Sequence, residues 1–237
     1  TYLNGFQIQL HNQPLVTGLS NLTIIQGNNT TLAPTITGTP APTFRWQTNG
    51  VDITGETNAS LTLNNVQYAQ NGYVYSLVSS NQAGAVTNSM TLTVIVTPSI
   101  TGLNNQTASI GDNVSISPTV GGVPTPTLRW RRGGTDLSNG ATGNGSTISG
   151  SATSTLSITT AQTADSGTYS LIASNSAGVV TNSMTLTVSS SPVAPGITGP
   201  TDQTVVEGSN ATFAASISGL PAPTLRWLES GVEIPGE

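Results

Sequence analysis

The chain has 237 residues, a formal net charge of −5 and only 6% charged side chains, against about a quarter in an ordinary soluble protein. Its basic side chains are five arginines, and it has one histidine and no cysteine, so we expect no nucleic-acid binding, no metal site and no cofactor. It also contains no run of about 18 apolar residues, which argues against membrane insertion. Small neutral polar residues are abundant instead, with 39 Thr, 28 Ser and 20 Asn.

The strongest pattern along the chain is an internal repeat. Residues 18–46 align without a gap with residues 102–130, and again with residues 199–227. A second block, residues 75–94, is repeated at residues 169–188. The offset between the first two copies is 84 residues. Repeats of this length are whole domains rather than turns of a solenoid.

Each repeat is predicted to be built from β-strands. Apolar residues alternate with Thr, Asn or Ser in residues 61–63, 90–94, 156–158 and 184–188, which is typical of strands with one buried face. Gly and Pro clusters separate these runs at intervals of about 8–12 residues. This spacing favours an all-β sandwich or barrel, and no segment shows a helical period with caps.

The motifs in these strands resemble a known family. Residues 165–178 read DSGTYSLIASNSAG and resemble the D-x-G-x-Y-x-C-x-A-x-N-x-x-G signature of I-set immunoglobulin domains. The G-x-P-x-P-x-x-x-W stretches resemble the B–C loop and strand C of the same family. The resemblance implies tandem immunoglobulin-like β-sandwiches in an extended array. It also implies structural core roles for five aromatic residues: Trp46, Trp130, Trp227, Tyr75 and Tyr169.

The alignment divides the chain into four segments. Residues 1–14 are predicted to be the last strand of a preceding Ig-like domain, because they align with the end of the first repeat. Residues 15–97 and 98–194 are two complete Ig-like domains, and residues 195–237 are the first half of a further one. We expect the chain to be a window on a longer tandem array. The alternative is a subunit that donates a strand to its neighbour's incomplete domain.

The disulfide of the family is missing. Pro34, Pro118 and Ala215 stand where the resemblance places the cysteine of strand B, and Leu77 and Leu171 stand at the partner position in strand F. A native disulfide contributes about 2–5 kcal/mol in a small secreted domain, so apolar packing has to replace it. Proline inside a strand also removes a ladder donor, which predicts a local irregularity. Long bacterial surface proteins often consist of cysteine-free versions of this fold, and the chain resembles them.

Three further features have a structural and a functional interpretation. Residues 133–154 include ten more residues than the first repeat has between its Trp and Tyr; we expect a solvated loop, with a lateral contact or sugar-bearing surface as the alternative. Asp165 is predicted to steady a turn rather than to bind calcium. Arg45, Arg129 and Arg226 precede the tryptophans and are predicted to be exposed and paired across strands, with stacking on a sugar or a partner as the alternative.

Glycosylation is the best-supported chemical modification. Asn58 is the strongest candidate, because Glu56 lies two positions upstream and the segment resembles a bacterial acceptor. Covalent glycans would help to solubilise a surface with few charges. The N-x-S/T sequons lie at Asn21, Asn28, Asn29, Asn58, Asn105, Asn113, Asn144 and Asn210.

The function predicted from these features is structural. With one histidine and no cysteine, the chain has no Ser-His-Asp set and no thiol nucleophile, so we do not expect an enzyme. The leading hypothesis is a structural repeat segment of an extracellular bacterial filament or surface fibre, whose partners are copies of itself. The alternatives are a cell-surface adhesin that binds host protein or glycan, and a spacer array in a large secreted protein.

Overall fold

The structure is a computed structural model that describes residues 10–190, 193–220 and 223–234. The strand predicted in residues 1–14 therefore falls mostly outside the described residues. Apart from two short 3₁₀ turns, Tyr68–Gln70 and Thr163–Asp165, every regular element in the described residues is a β-strand. This confirms the predicted all-β class.

The strands are numbered in chain order. The first nine are Asn12–Thr17 (β1), Leu22–Ile25 (β2), Thr30–Leu32 (β3), Thr35–Thr39 (β4), Thr43–Thr48 (β5), Val51–Asp52 (β6), Leu61–Leu63 (β7), Val74–Asn81 (β8) and Gly84–Thr101 (β9). The next ten are Gln106–Ser109 (β10), Val114–Ile116 (β11), Thr119–Val123 (β12), Thr127–Arg132 (β13), Thr135–Asp136 (β14), Gly140–Ala141 (β15), Thr147–Ser149 (β16), Leu156–Thr159 (β17), Gly167–Asn175 (β18) and Gly178–Ser189 (β19). The last four are Val193–Thr198 (β20), Ser216–Leu220 (β21), Leu228–Glu229 (β22) and Val232–Glu233 (β23).

The first repeat forms two layers of strands. Strands β6, β5, β8 and β9 make an antiparallel sheet, and β2 joins it by pairing in parallel with β9. Strand β1 pairs with β4, and β3 pairs with β7. The chain crosses from the β1 ladder to β9 within a few residues. Gly18 lies at this crossing with a φ of 84°. Residues that have a Cβ atom rarely adopt this backbone conformation.

The second repeat has the same plan. One sheet has the order β10-β19-β18-β13-β14, with β10 again parallel to β19. The other has the order β11-β17-β16-β15. In both repeats a short strand near the start, β2 or β10, therefore pairs in parallel with a later strand, β9 or β19.

Strand β9 is unusually long, because it runs for 18 residues through the junction between the repeats. Its first part pairs with β8 and β2, and its last residues pair with β12, with Ile100 opposite Val120. The chain divides into two compact units: residues up to Thr101 with Thr119–Leu128 and Ile172–Thr181, and residues Gly102–Pro118 and Arg129–Leu171 with those from Asn182 onward. The domain limits 15–97 and 98–194 thus stay a prediction from the repeat.

The prolines at the strand B position interrupt that strand, as expected. Pro34 lies between β3 and β4, and Pro118 lies between β11 and β12. Before Pro34 the chain pairs with β7, and after it the chain pairs with β1 instead. Because proline lacks an N–H group, the ladder breaks at this residue and the two halves of the strand pair with different neighbours.

Large apolar side chains fill the interior of each repeat. Trp46 and Leu77 are fully buried in the first, as are Trp130, Tyr169 and Leu171 in the second. The core of the first repeat consists of Val16, Ile24, Leu32, Trp46, Leu61, Leu63, Val66, Tyr75, Leu77, Met90, Leu92 and Val94. Its members come from both layers, so the repeat is a β-sandwich. Leucine therefore occupies the buried position in strand F where the family has a cysteine.

The prediction of a solvated loop in residues 133–154 is wrong for part of this segment. It contains β14, β15 and β16; β16 pairs with β17, and β15 pairs with β16 to form the edge of that sheet. Ile148 and Ser146 are buried. The alternation Thr147-Ile148-Ser149 turns one apolar side chain toward the core, so the additional residues form strands of the sandwich.

The described part of the third repeat has two short ladders. Strand β20 pairs with β21, and β22 and β23 form a hairpin that carries Glu229 and Glu233. Trp227 is half-buried, and Phe213 is 52% exposed. The strands that cover Trp46 in the first repeat have no counterpart among residues 193–220 and 223–234. The core role predicted for Trp227 is therefore only partly visible there.

Candidate functional site

The described residues offer little material for catalysis. Among residues 10–190, 193–220 and 223–234, no group of three His, Cys, Asp or Glu side chains is placed to hold a metal ion. No helix in the same ranges is long and apolar enough to cross a membrane. His11 is exposed. The polar side chains that remain form a tyrosine corner, a buried carboxylate network, a set of asparagines and a row of arginines.

The tyrosine corner is present in the second repeat. The Tyr169 hydroxyl donates a hydrogen bond to the backbone oxygen of Asp165 at 2.8 Å, and burial raises the pKa of Tyr169 above its usual value. In the first repeat the Tyr75 hydroxyl instead accepts a hydrogen bond from the Gln70 side chain at 3.2 Å. The turn before Tyr75 is one residue longer, because Gln70 precedes Tyr75 by five positions and Asp165 precedes Tyr169 by four. Because of this additional residue, the tyrosine hydroxyl has a different hydrogen-bond partner in the first repeat.

The Asp165 carboxylate is the centre of a buried polar network. One oxygen accepts hydrogen bonds from the Asn144 amide at 3.0 Å and the Arg132 guanidinium at 3.3 Å. The other oxygen accepts one from the Gln162 backbone N–H at 2.8 Å. Burial alone would raise the pKa of Asp165, but the hydrogen bonds from Asn144, Gln162 and Ser146 and the charge of Arg132 outweigh it and lower the pKa. Protein donors thus satisfy this carboxylate, which supports the structural role predicted for Asp165.

The first repeat carries a neutral version of this network. Gln70 takes the place of Asp165 at the end of the 3₁₀ turn, and its side-chain oxygen accepts a hydrogen bond from the Gln67 backbone at 2.8 Å. Thr48 stands where the second repeat has Arg132. Of these two repeats, only the second therefore has an ion pair with a buried carboxylate.

Four of the sequon asparagines connect neighbouring segments of the fold. Their side-chain oxygens accept backbone N–H hydrogen bonds: Asn21 from Thr91 (2.8 Å), Asn105 from Thr185 (2.8 Å), Asn29 from Asn65 (2.7 Å) and Asn113 from Thr160 (3.1 Å). Asn21 and Asn105 are equivalent positions, as are Asn29 and Asn113. These asparagines recur at equivalent positions because they form the same structural hydrogen bonds in both repeats.

The other four sequons differ in accessibility. Asn144 is half-buried and its side-chain nitrogen, the atom that would carry a glycan, donates to Asp165. Asn28, Asn58 and Asn210 are exposed, and no side-chain hydrogen bond to another described residue holds them. The backbone oxygen of Asn58 accepts a hydrogen bond from the Trp46 indole at 3.0 Å. Asn58 therefore combines a fixed backbone with a free side chain.

The arginines all lie on or beside the strand that carries the tryptophan. The three equivalent residues pair with a carboxylate across the hairpin: Arg45 with Asp52 (3.2 Å), Arg129 with Asp136 (3.0 Å) and Arg226 with Glu233 (3.8 Å). These side chains are about half exposed or more. The structure confirms the predicted exposed pairs, which contribute little to stability in such settings.

Two packed β-sheets, a buried tryptophan and a tyrosine corner define a class of protein, the immunoglobulin-like sandwich. The model of the Immunoglobulin I-set domain family matches residues 14–94 and 98–188. The chain belongs to this family and carries its domain in tandem.

The curated relatives are long animal proteins. Hemicentin-2 of Mus musculus is 32% identical over 235 residues, which is 92% of this chain and 4% of the relative. Neural cell adhesion molecule 1-A of Xenopus laevis is 27% identical over 230 residues, or 91% of this chain and 20% of the relative. The chain thus spans a fifth or less of these relatives. They support a tandem immunoglobulin segment and give no support to the bacterial origin predicted from the missing cysteines.

Solved structures of tandem immunoglobulin domains are similar in fold. Titin domains I67–I69, in an E-to-A mutated variant, give a TM-score of 0.61 at 20% identity, covering 95% of this chain and 82% of that one. Sidekick-1 immunoglobulin domains 1–4 give 0.61 at 23% identity, covering 77% and 50%. At these identities the likeness concerns the fold alone, and it confirms the predicted tandem immunoglobulin-like sandwiches.

The Asp165 network predicts a pH-dependent stability. Because the folded-state pKa of Asp165 is below its unfolded value of about 3.9, the ionised carboxylate stabilises the fold above that pH, and this contribution is lost as the pH falls through the folded-state pKa. We expect Asp165→Asn to lower the free energy of unfolding by about 1–3 kcal/mol at pH 7, and by less at acidic pH. Urea denaturation at a series of pH values measures this difference.

Asp136→Asn is the matched control, because Asp136 also pairs with arginines but is solvent-exposed. We expect the control to change the unfolding curve little at any pH. A deficit of Asp165→Asn that stays constant as the medium is acidified would contradict an ionised, stabilising Asp165.

Proposed function

We propose that this chain is a structural repeat segment of an extracellular filament or surface fibre built from tandem immunoglobulin-like domains, with a bacterial source. The proposal rests on the structural hydrogen bonds that polar side chains form within each repeat. Asn21 and Asn105 form the same hydrogen bond in the two repeats. Their neutral side chains hold strands together, as a repeated building element requires, rather than converging on a site for chemistry. The cysteine-free core supports the bacterial source.

Copies of the same chain are its proposed partners. The chain has no lysine, although lysine commonly protects the edges of β-sheets from pairing with other chains. Strand β7 has only β3 as a ladder partner in the described residues, whereas its counterpart β17 lies between β11 and β16. An uncovered, weakly charged edge favours association between copies.

The extracellular or cell-surface location rests on the relatives. Two of them carry names of cell adhesion molecules, and the chain is similar to both over about nine tenths of its length. The same names favour the second candidate function, a cell-surface adhesin that binds host protein or glycan. A spacer array in a large secreted protein has no comparable support.

Electron microscopy of native material distinguishes these functions. A filament subunit predicts ordered helical filaments whose axial repeat is a multiple of one immunoglobulin domain. Single flexible rods that end in a distinct head would contradict the filament and favour the adhesin or the spacer.

Glycans are the proposed covalent addition to this surface. Asn58 is the preferred acceptor, because its side chain is exposed and without a hydrogen bond to the described residues, and Glu56 lies two positions upstream. Asn28 and Asn210 are further acceptors. Asn144 is not one, because its amide nitrogen is committed to Asp165. Glycans at the first three positions would hydrate a surface that has few charges.

Intact-mass analysis of protein from its native source measures this modification. We expect a mass above that of the polypeptide, and the loss of one glycan mass on Asn58→Gln. The matched variant Asn144→Gln should leave the glycan mass unchanged. A bare polypeptide mass would contradict the proposal.

A further inference from the structure

The second repeat carries an excess of positive charge on one exposed hairpin. Arg129 and Arg131 lie two residues apart on β13, and both contact the single carboxylate of Asp136 on β14. Residues two apart on a strand project from the same face of the sheet. Two guanidinium groups therefore share one carboxylate, which leaves one positive charge uncompensated. This occurs in a chain whose net charge is −5.

The first repeat has no such excess. Gln47 stands in place of Arg131, and its amide donates to Asp52 at 2.7 Å. Arg45 completes a neutral pair with the same carboxylate at 3.2 Å. Apart from Arg132, which pairs with Asp165, the two hairpins differ in charge by Arg131 alone. The first repeat is thus a natural control for the second.

The two arginines keep donors available to a ligand. The Arg129 side chain is 51% exposed and uses one terminal nitrogen on Asp136, at 3.0 Å. Arg131 is 35% exposed and contacts Asp136 through its inner nitrogen. A guanidinium has five N–H donors in a planar fork that matches a carboxylate. Beside β13 in the sheet, β18 carries Ser170, which shares a hydrogen bond of 2.8 Å with Ser183.

We infer that this hairpin face binds the carboxylate groups of an acidic polysaccharide, through Arg129 and Arg131. A sugar acid offers both a carboxylate for the free guanidinium fork and hydroxyl groups for the neighbouring serines. On the neighbouring strand β18, Ser170 and Ile172 are both partly exposed and lie on the side opposite to buried Leu171, so an extended polymer can lie across polar and apolar side chains. This inference stands whether or not the chain forms filaments.

Binding of polygalacturonate to the full chain tests the inference. Isothermal titration calorimetry at about 50 mM NaCl should detect binding, and about 500 mM NaCl should abolish it, because exposed charges are screened at high ionic strength. Arg131→Gln, which recreates the pattern of the first repeat, should weaken binding about fivefold, or ~1 kcal/mol. Arg129→Gln should weaken it to a similar extent.

Arg45→Gln is the matched control and should leave the affinity unchanged, since Arg45 belongs to a neutral pair. Thermal melting of each variant should match the parent, because these ion pairs are exposed. Three results would overturn the inference: no binding of polygalacturonate, equal binding by Arg131→Gln, or equally tight binding of amylose, a neutral polymer. Equally tight binding of polyglutamate would overturn the assignment to a polysaccharide.

Discussion

The packing of tryptophan against leucine is the interaction on which the rest of this fold depends. In the first repeat Trp46 lies directly opposite Leu77 in the register of β5 and β8, and both are fully buried. The immunoglobulin resemblance places a cysteine at the Leu77 position, with its disulfide partner in strand B where this chain has Pro34. Here the covalent link is replaced by apolar surface removed from water, at about 25 cal/mol per Å². The interior has to be filled closely, because no cross-link holds the two sheets together.

Neutral polar side chains organise what surrounds this core. Asparagine side chains complete the backbone hydrogen bonds that neighbouring segments leave open, such as that of Asn105 with the Thr185 N–H. Asn105 and Thr185 are both exposed, so these hydrogen bonds connect neighbouring segments at the surface through neutral side chains. Among the described residues, only the second repeat adds an ion pair with a buried carboxylate, Asp165 with Arg132, and further donors surround that carboxylate. The low charge content of the chain and its fold are therefore consistent with each other.

The sequence predicts the core and the strands well, because both follow from short-range periodicity and from the repeat. The alternation around Leu61 and Leu156 and the spacing to each tryptophan are enough for this purpose. The roles of the sequon asparagines were missed, since their partners are some 36 to 80 residues away. One signal was available: Asn21 and Asn105 recur at the repeat offset, which indicates a structural position. The strands within residues 133–154 were missed because this Gly- and Ser-rich segment has only one buried apolar residue, Ile148, among those that the structure describes.

The free energy of unfolding of Leu77→Ala tests the replacement of the disulfide most directly. Leu15→Ala is the matched control, because Leu15 lies in the same repeat and is 59% exposed. Urea denaturation of the full chain should show a loss of about 2–5 kcal/mol for Leu77→Ala and a change within about 0.5 kcal/mol for the control. Equal, small effects of the two substitutions would contradict a fold held together by the buried leucine and tryptophan.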